Sequence, residues 1–287
     1  MDLADLAALA ARHIPSQTGT SMQYVTPAPH LGILRQHAPQ AFEAAIYEPV
    51  LITVLEGRKQ TILGTDAYPM GAGECLLVSH DLPVVARVTK APYLALLVSV
   101  QLDLLRELYT ELALVEEQGH ALSVQRCDAQ LIDALGRYLA LSPRDLPVLG
   151  PLIVREIHYR LATASFGAML RSLIRRDSHA STIARAIAQL RRTFRSPISV
   201  PELARSVGMS PSAFHKHFKA ITASSPLQFQ KHLRLLEARR LLRMGATSVA
   251  TTAFDVGYES ATQFSREYTR KFGTPPSADQ QHDLRRR

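Results

Sequence analysis

Two stretches of the chain, residues 201–218 and 249–268, carry the same pattern of apolar and polar positions. In each stretch, small or apolar residues recur at helical spacing and the run ends at a glycine, Gly208 or Gly257. We expect both glycines to adopt the left-handed conformation that follows a helix. A few turn residues and a second amphipathic segment come next. This layout predicts two helix-turn-helix motifs, a fold whose second helix can enter the major groove of DNA.

The starts of the predicted helices are marked by capping residues. Ser199 with Glu202 has the spacing of a capping box, and Ser210 followed by Pro211 predicts the start of the second helix of the first motif. Ser260 takes the same role in the second motif. Aromatic residues four apart face inward on both second helices, which leaves a polar face outside. The outward positions are Ser212, His215, Lys216 and Lys219 in the first motif, and Ala261, Thr262, Ser265 and Arg266 in the second.

A helix from Pro226 to Met244 is predicted between the two motifs. Ser225 and Gln228 would cap its start and Gly245 would end it. At ~1.5 Å per residue it spans roughly 28 Å, and successive major-groove faces lie ~34 Å apart. One chain could therefore present two helices to one side of a duplex. The core candidates of this connecting helix are Leu227, Leu233, Leu236 and Leu241.

These segments resemble the AraC/XylS family of bacterial transcription regulators over a region from about residue 181 to 279. The matching stretches are Leu203–Ser210, Gly257–Ser260, Gln263–Tyr268 and Phe272–Pro276. The resemblance implies a DNA-binding domain over residues 177–287, transcriptional activation, and RNA polymerase and double-stranded promoter DNA as partners. The family's base-facing sites match Ser212, His215, Lys216, Ala261, Thr262 and Arg266.

Arg266 is the strongest candidate for reading a base, because a guanidinium can bind guanine O6 and N7 in bidentate fashion. The alternative is a phosphate contact, which positions the protein without specifying sequence. The same alternative applies to His215 and Lys216. Arg234, Arg239 and Arg240 of the connecting helix are interpreted as surface or packing residues.

The N-terminal half has a different pattern. A short amphipathic helix is predicted from Asp2 to His13, and an irregular segment follows with one strand near Leu31–Arg35. From Leu102 the pattern becomes helical, with a leucine stripe that fits either a core or a dimer interface. Between these regions, short strands with glycine-containing turns indicate a sandwich or barrel. The predicted strands are 50–55, 58–63, 67–70, 75–78, 84–88 and 93–100, and the predicted helices are 102–114, 128–141, 147–164 and 167–176.

Residues 19–112 also resemble the cupin-like N-terminal domain found in a subgroup of the same family. The residues that carry this likeness are Tyr47–Pro49, Glu56–Lys59, Gly64, Gly73 and Ser79–Pro83. The likeness implies effector binding or dimerisation. The predicted fold is therefore α+β with two domains: a cupin-like β-barrel with flanking helices, and an all-α domain with two helix-turn-helix motifs. The predicted boundaries are an N-terminal helical extension over 1–18, a sensor or dimerisation domain over 19–176 and the DNA-binding domain over 177–287.

Charge is divided unevenly along the chain, whose formal net charge is +8. Residues 181–287 carry 18 Lys or Arg and 7 Asp or Glu, whereas residues 1–180 carry 15 and 18. A basic C-terminal region attached to a slightly acidic remainder suits a module that binds a polyanion. Solvated basic helices would give the same balance, and the repeated motif favours DNA.

The barrel segment offers polar residues beside its predicted strands. Tyr47, Arg58, His80 and Tyr93 are candidate contacts for a small-molecule effector at a barrel mouth, although each also fits an ordinary structural role. A metal-dependent cupin enzyme needs converging histidines and a carboxylate, and the histidines of the barrel segment are isolated from one another. We therefore expect no metal, no cofactor and no catalytic residue.

The remaining features concern location and rival functions. The N-terminus has acids where a signal peptide needs bases, no apolar run is long enough to span a membrane, and Cys75 and Cys127 have no disulfide framework. These features predict a cytoplasmic protein. A constitutive DNA-binding protein whose N-terminal domain only dimerises stays open, and so, less favourably, does a cupin-type enzyme. Thiol sensing by Cys75 also stays open.

Overall fold

The computed structural model describes residues 1–15, 22–39, 43–112, 120–175, 178–245 and 248–284. The chain divides into two compact units. The first contains Met1–Phe42 and Tyr47–Ser181, and the second contains Glu43–Ile46 and Thr182–Arg287. Strands dominate the first unit, and the second is helical apart from its short segment. This architecture confirms the predicted α+β class.

An antiparallel sheet forms the framework of the first unit. Its strands are β1 (Gln23–Ala28), β2 (Leu31–Gln36), β4 (Val50–Leu63), β5 (Asp66–Gly71), β6 (Glu74–Val78), β7 (Leu82–Ser99) and β8 (Leu122–Arg126), whereas the short strand β3 (Glu43–Tyr47) lies mostly in the second unit. They pair in the order β1-β2-β7-β4-β6-β8, with β5 beside β4. Among the described strands, the two ends of this order do not pair with each other. The sheet therefore resembles that of a cupin-like domain but does not close into a complete barrel.

In two places, a pair of strands that the sequence predicted as separate forms one continuous strand in the structure. The turn expected at Glu56 and Gly57, between the predicted strands 50–55 and 58–63, is wrong, because β4 continues through both residues. Gly57 has φ +76° and sits among register shifts between β4 and β7, which identifies a β-bulge rather than a chain reversal. A Cβ at Gly57 would lie 2.3 Å from the carbonyl oxygen of Pro92, so only glycine fits there. In the same way, β7 joins the segments predicted separately as 84–88 and 93–100.

The two strands at the ends of the sheet were not predicted. In β1, Pro27 interrupts the strand pattern, but among the described strands β1 pairs only with β2, and proline is tolerated on such an edge. At the other end, β8 is five residues long and pairs with β6. Neither strand has a strong pattern of alternating apolar residues, and both form because a neighbouring strand pairs with them.

In the first unit, helices pack against the sheet, and residues of both form one hydrophobic cluster. They are α1 (Leu3–Arg12), α2 (Leu102–Leu112), α3 (Ala129–Leu139), α4 (Leu146–Thr163) and α5 (Ala168–Ile174). Leu6 and Ala10 of α1 are fully buried, as its predicted apolar face requires. Leu105 and Leu108 of the leucine stripe are also buried. Within the described side chains, the stripe is therefore part of the core of its own unit.

The second unit consists of α6 (His179–Thr193), α7 (Val200–Ser206), α8 (Pro211–Thr222), α9 (Pro226–Arg243), α10 (Val249–Asp255), α11 (Ala261–Phe272) and α12 (Pro276–Leu284). The predicted core of α9 is partly wrong. Leu233 is buried, but Leu227 is 55% exposed, and Leu235 and Leu242 are buried instead. The reason is that α9 packs on more than one side: Phe229 meets Phe218 of α8, and Leu235 and Leu242 join the core around α10 and α11.

Candidate nucleic-acid interface

The first helix pair is α7 and α8, joined by a tight turn at Gly208. Gly208 has φ +78°, and its N–H donates to the carbonyl oxygen of Arg205 at 3.0 Å. The next residue, Met209, donates its N–H to the carbonyl oxygen of Ala204 at 2.9 Å. These two bonds make a Schellman motif, which satisfies carbonyl groups at the end of α7 and sets the direction of the chain into α8.

The second helix pair, α10 and α11, contains the same turn. Gly257 has φ +91°, and its N–H donates to the carbonyl oxygen of Phe254 at 2.9 Å. Tyr258 donates its N–H to the carbonyl oxygen of Ala253 at 2.9 Å. The predicted repeat is thus a repeat in hydrogen bonding as well as in sequence, because both glycines hold the same backbone geometry at the same position.

A serine caps each of the four helices in the two pairs. In every case the side-chain oxygen accepts a hydrogen bond from the backbone N–H three residues later. The cap at the start of α10 was not identified from sequence, because no Glu or Gln follows it at the capping-box spacing. The four bonds are Ser199 to Glu202 at 3.4 Å, Ser210 to Ala213 at 3.3 Å, Ser248 to Thr251 at 3.1 Å and Ser260 to Gln263 at 3.3 Å.

Paired aromatic rings fix the inner faces of α8 and α11. The ring centroids of Phe214 and Phe218 are 5.4 Å apart, and those of Phe264 and Tyr268 are also 5.4 Å apart. All four side chains are fully buried. Because the rings lie one turn apart on each helix, they fix its rotation about its axis and hence which residues face solvent.

The outer faces of α8 and α11 contain the eight residues that the sequence singled out for DNA. Six are exposed and two, Ala261 and Ser265, are half-buried. No ion pair within the described residues involves Lys216, Lys219 or Arg266. Their charges face solvent without a carboxylate partner in the part of the chain that the structure describes. The exposed six are Ser212, His215, Lys216, Lys219, Thr262 and Arg266.

The connecting helix α9 is attached to the chain before α7 by bonds to backbone carbonyls. Arg234 donates from Nε to Phe194 O at 2.7 Å and from a terminal nitrogen to Ser196 O at 3.2 Å. Gln230 donates to the same two carbonyl oxygens at 2.9 and 2.6 Å. Arg234 is therefore a packing residue, as interpreted from sequence. Arg239 likewise forms a salt bridge with Asp279 at 3.2 Å.

A second set of contacts attaches α11 to α9. Lys231 of α9 donates to Glu267 Oε1 at 2.9 Å, and the Tyr258 hydroxyl donates to Glu267 Oε2 at 2.8 Å. Burial acts to raise the pKa of Glu267, but these hydrogen bonds outweigh it and leave the pKa below its ordinary value. Glu267 is thus an anion held by its partners, and its charge is compensated inside the unit rather than directed toward a polyanion.

Of the four candidate effector contacts in the first unit, the structure brings two together. The hydroxyl of Tyr47 accepts a hydrogen bond from Lys59 Nζ at 2.5 Å, and that ammonium lies 5.0 Å from the ring centroid of Tyr47. Tyr93 is fully buried beside the same pair, and burial raises the pKa of its phenol to about 12. Arg58 is exposed and lines a cleft of about 770 Å³ that Lys59 and Lys90 also line.

His80 has a different environment from the two tyrosines. It is 2% exposed, with Nδ1 at 2.8 Å from the Ser79 hydroxyl and Nε2 at 3.1 Å from the carbonyl oxygen of Ala180. Burial lowers its pKa to about 4. Both ring nitrogens are occupied by protein groups, so His80 has a structural role in the buried interior.

Sequence analysis missed Lys59, which lies between Tyr47 and Tyr93. It is only 7% exposed. Burial acts to lower its pKa, but the two phenol groups act in the opposite direction and prevail, so the pKa lies above its ordinary value. The available signal was strand alternation: Arg58 and Gln60 face outward on β4, which places Lys59 on the inner face with Thr61 and Leu63.

Comparison with known protein families agrees with the geometry of both units. The family described as "AraC-type transcriptional regulator N-terminus" matches residues 27–169, and a family described as "Helix-turn-helix domain" matches residues 203–282. The chain belongs to the AraC-type transcriptional regulators. The resemblance inferred from the repeated motif and from the strand segment is therefore confirmed.

Individual AraC-type regulators match part of the chain. The transcriptional regulator CdhR of Pseudomonas aeruginosa is 27% identical over 190 residues, which is 62% of this chain and 54% of CdhR. The virulence regulon activator VirF of Yersinia enterocolitica is 29% identical over 138 residues, or 48% of this chain and 51% of VirF. The chain thus spans about half the length of the curated relatives it matches.

A solved structure supports the two-domain fold of this AraC-type chain. The crystal structure of unsaturated fatty acid-bound ToxT from Vibrio cholerae aligns with a TM-score of 0.57 and covers 92% of this chain and 96% of ToxT, at 11% sequence identity. At that identity the likeness shows the fold. In the described part of the chain, no helix is long and apolar enough to cross a membrane, and no cluster of three or more His, Cys, Asp or Glu could hold a metal.

Proposed function

We propose that this protein binds double-stranded promoter DNA through α8 and α11 and regulates transcription, as an activator that contacts RNA polymerase. One observation carries the proposal: two helix pairs with the same Schellman turn, serine caps and aromatic anchors each present a polar or cationic face to solvent. The backbone repeat suits two similar sites on one duplex, because α9 spans ~27 Å at ~1.5 Å per residue and major-groove faces recur every ~34 Å.

The proposed DNA contacts divide into two kinds. Arg266 and Thr262, with the small Ala261 beside them, would read base edges, since they lie near the start of α11 where a recognition helix approaches the groove. Lys216 and Lys219 of α8 would contribute mainly phosphate contacts. Ser212, His215 and Ser265 complete the proposed surface.

A small-molecule effector of the first unit is the second part of the proposal. The Tyr47, Lys59 and Tyr93 groups supply a polar interior there, and ToxT, which shares the fold, has been crystallised with a fatty acid. The proposed domains are 1–18, 19–176 and 177–287, with a homodimer as the working form in the cytoplasm. Because its relatives are transcription regulators, we propose no catalytic activity.

In vitro selection of DNA by the purified full-length chain tests the DNA-binding part. We expect an enriched site with two half-sites about one helical turn apart. The double variant His215→Ala/Arg266→Ala removes one residue from each reading helix and should lose the enrichment. The control is Arg192→Ala, an exposed arginine on α6 with the same charge change. Failure of the wild-type chain to enrich any sequence at low salt would reject the proposal.

A constitutive regulator, whose first unit only dimerises, is the alternative to an effector-controlled one. Thermal-shift screening of the full-length chain with a metabolite library distinguishes them. A ligand that raises the melting temperature and changes DNA affinity supports effector control, whereas a complete lack of response favours the constitutive form.

A further inference from the structure

The inner face of the sheet contains a positive charge that no described residue of the protein neutralises. Lys59 is 7% exposed, and its one recorded hydrogen bond within the described residues goes to the neutral hydroxyl of Tyr47. No carboxylate in the described part of the chain lies within ion-pair distance of its ammonium. Burying an ammonium without an anion is costly, and such groups are ordinarily paired.

Two further hydroxyl groups on this side of the sheet have no hydrogen-bond partner among the described residues. The Tyr93 hydroxyl and Thr61 Oγ1 are both fully buried and unpaired. Thr61 lies two residues after Lys59 on β4 and so shares its face, and Tyr93 is close enough to Lys59 for each to shift the pKa of the other. Both hydroxyls can donate to a bound acceptor, and the Lys59 ammonium has N–H groups left after its one bond to Tyr47.

The surroundings of these donors are apolar. In the strand register, Lys59 lies opposite Met70 of β5 and Val88 of β7, and directly opposed residues share a face. Met70 is 2% exposed and Val88 is 5% exposed. Nearby on the same strand, Leu63 is also buried. A single cation with hydroxyl donors on an apolar surface is complementary to a molecule with one anionic end and an apolar body.

We infer that the effector of this protein is an organic acid with an apolar body, and that its carboxylate is bound by Lys59 with the hydroxyls of Tyr93 and Thr61. The inference rests on the proposed effector control and names its ligand class. A carboxylate supplies both the negative charge and the acceptor oxygens that this group of donors requires, and charge-assisted hydrogen bonds of this kind are the strong ones. A neutral sugar or a cationic ligand would leave the ammonium uncompensated.

The test uses the full-length chain and a defined series: acetate, benzoate, hexanoate and decanoate, each compared with the corresponding primary amide. Differential scanning fluorimetry and titration calorimetry give melting temperatures and dissociation constants. We expect at least one of the acids with an apolar body to stabilise the protein while its amide does not. Lys59→Met, which keeps the length of the side chain, should weaken binding of that acid about 10- to 100-fold.

Matched variants separate a binding role from a structural one. Arg144→Met removes an exposed cation that does not line the cleft beside Lys59, and should bind the acid like the wild type. Tyr93→Phe keeps the ring and should weaken binding several-fold without lowering the melting temperature of the free protein. If Lys59→Met does not fold, the affinity of Tyr93→Phe for the acid still tests the inference. The inference is overturned if no acid in the series stabilises the wild type, if amides act equally well, or if Lys59→Met and Tyr93→Phe bind as the wild type does.

A separate measurement keeps this inference apart from the proposed function. Binding of the selected DNA by the wild-type chain is followed by fluorescence anisotropy without acid. If the wild type binds DNA but responds to no acid, the ligand class is wrong and the regulator proposal stands. If it binds an acid through Lys59 but no DNA, the ligand class stands and the regulator proposal is wrong.

Discussion

The two glycines that end α7 and α10 give a matched pair for testing how the repeat is built. Gly208 and Gly257 both have positive φ, at +78° and +91°, in the same hydrogen-bonded turn. A Cβ at Gly208 would meet nothing within 4 Å, whereas a Cβ at Gly257 would lie 2.0 Å from the carbonyl oxygen of Arg195. Alanine at Gly208 therefore pays only the left-handed strain, about 1–2 kcal/mol.

Alanine at Gly257 must also displace the backbone at Arg195 by about 1 Å to reach a contact distance of 3.0 Å. The carbonyls on either side, of Phe194 and Ser196, receive the hydrogen bonds of Gln230 and Arg234. Weakening one or two of these bonds costs about 1–3 kcal/mol each. We therefore expect Gly257→Ala to lower the free energy of unfolding by about 3–5 kcal/mol, well beyond the loss at Gly208→Ala.

Equilibrium urea unfolding, followed by far-ultraviolet circular dichroism, measures both variants; the chain has no tryptophan for fluorescence. DNA affinity provides a second readout, because Gly257 sets the direction of the chain into α11. Equal losses for the two variants, or a larger loss at Gly208→Ala, would refute the claim that contact with Arg195 distinguishes the two turns.

Three further predictions concern charge. Arg266→Ala should cost about 1–3 kcal/mol of DNA binding and relax preference at one base position, and an unchanged selection profile would remove its base-reading role. Lys219→Ala should weaken binding uniformly across sequences and flatten the plot of log affinity against log salt by about one unit; a changed base preference would contradict a phosphate contact. The pKa of His80 is lowered from 6.5 to about 4 by burial. The unfolded chain therefore binds a proton that the native chain lacks between these values. The contribution of His80 to the free energy of unfolding is fully present above about pH 6.5. It falls by roughly 1.4 kcal/mol per pH unit as the pH is lowered toward 4. Urea unfolding at several pH values in this range gives the unfolding free energy as a function of pH. Its slope against pH should be shallower for His80→Gln than for the wild type, and an unchanged slope would exclude His80 as its source.

The sequence alone determined the helices from α7 to α11 and the outward residues of α8 and α11, whereas α6 and α12 were not predicted. Short-range chemistry explains this success: serine caps, glycine stops and aromatic residues four apart act within one or two turns, so they can be read locally. The helical periodicity fixed which faces of α8 and α11 are exposed, and the structure places the eight proposed contacts on those faces. Their contact with DNA stays a prediction.

Tertiary structure decided the features that depend on distant partners. Gly57 reads as a turn locally, but pairing with β7 makes it a bulge in one long strand. Leu227 fits the apolar pattern of α9, yet burial depends on which neighbours pack there, and it is exposed. Lys59 is an ordinary surface residue by type. Only the sheet, which brings Tyr47 and Tyr93 from other strands to its side chain, makes it a buried cation with no anion beside it among the described residues.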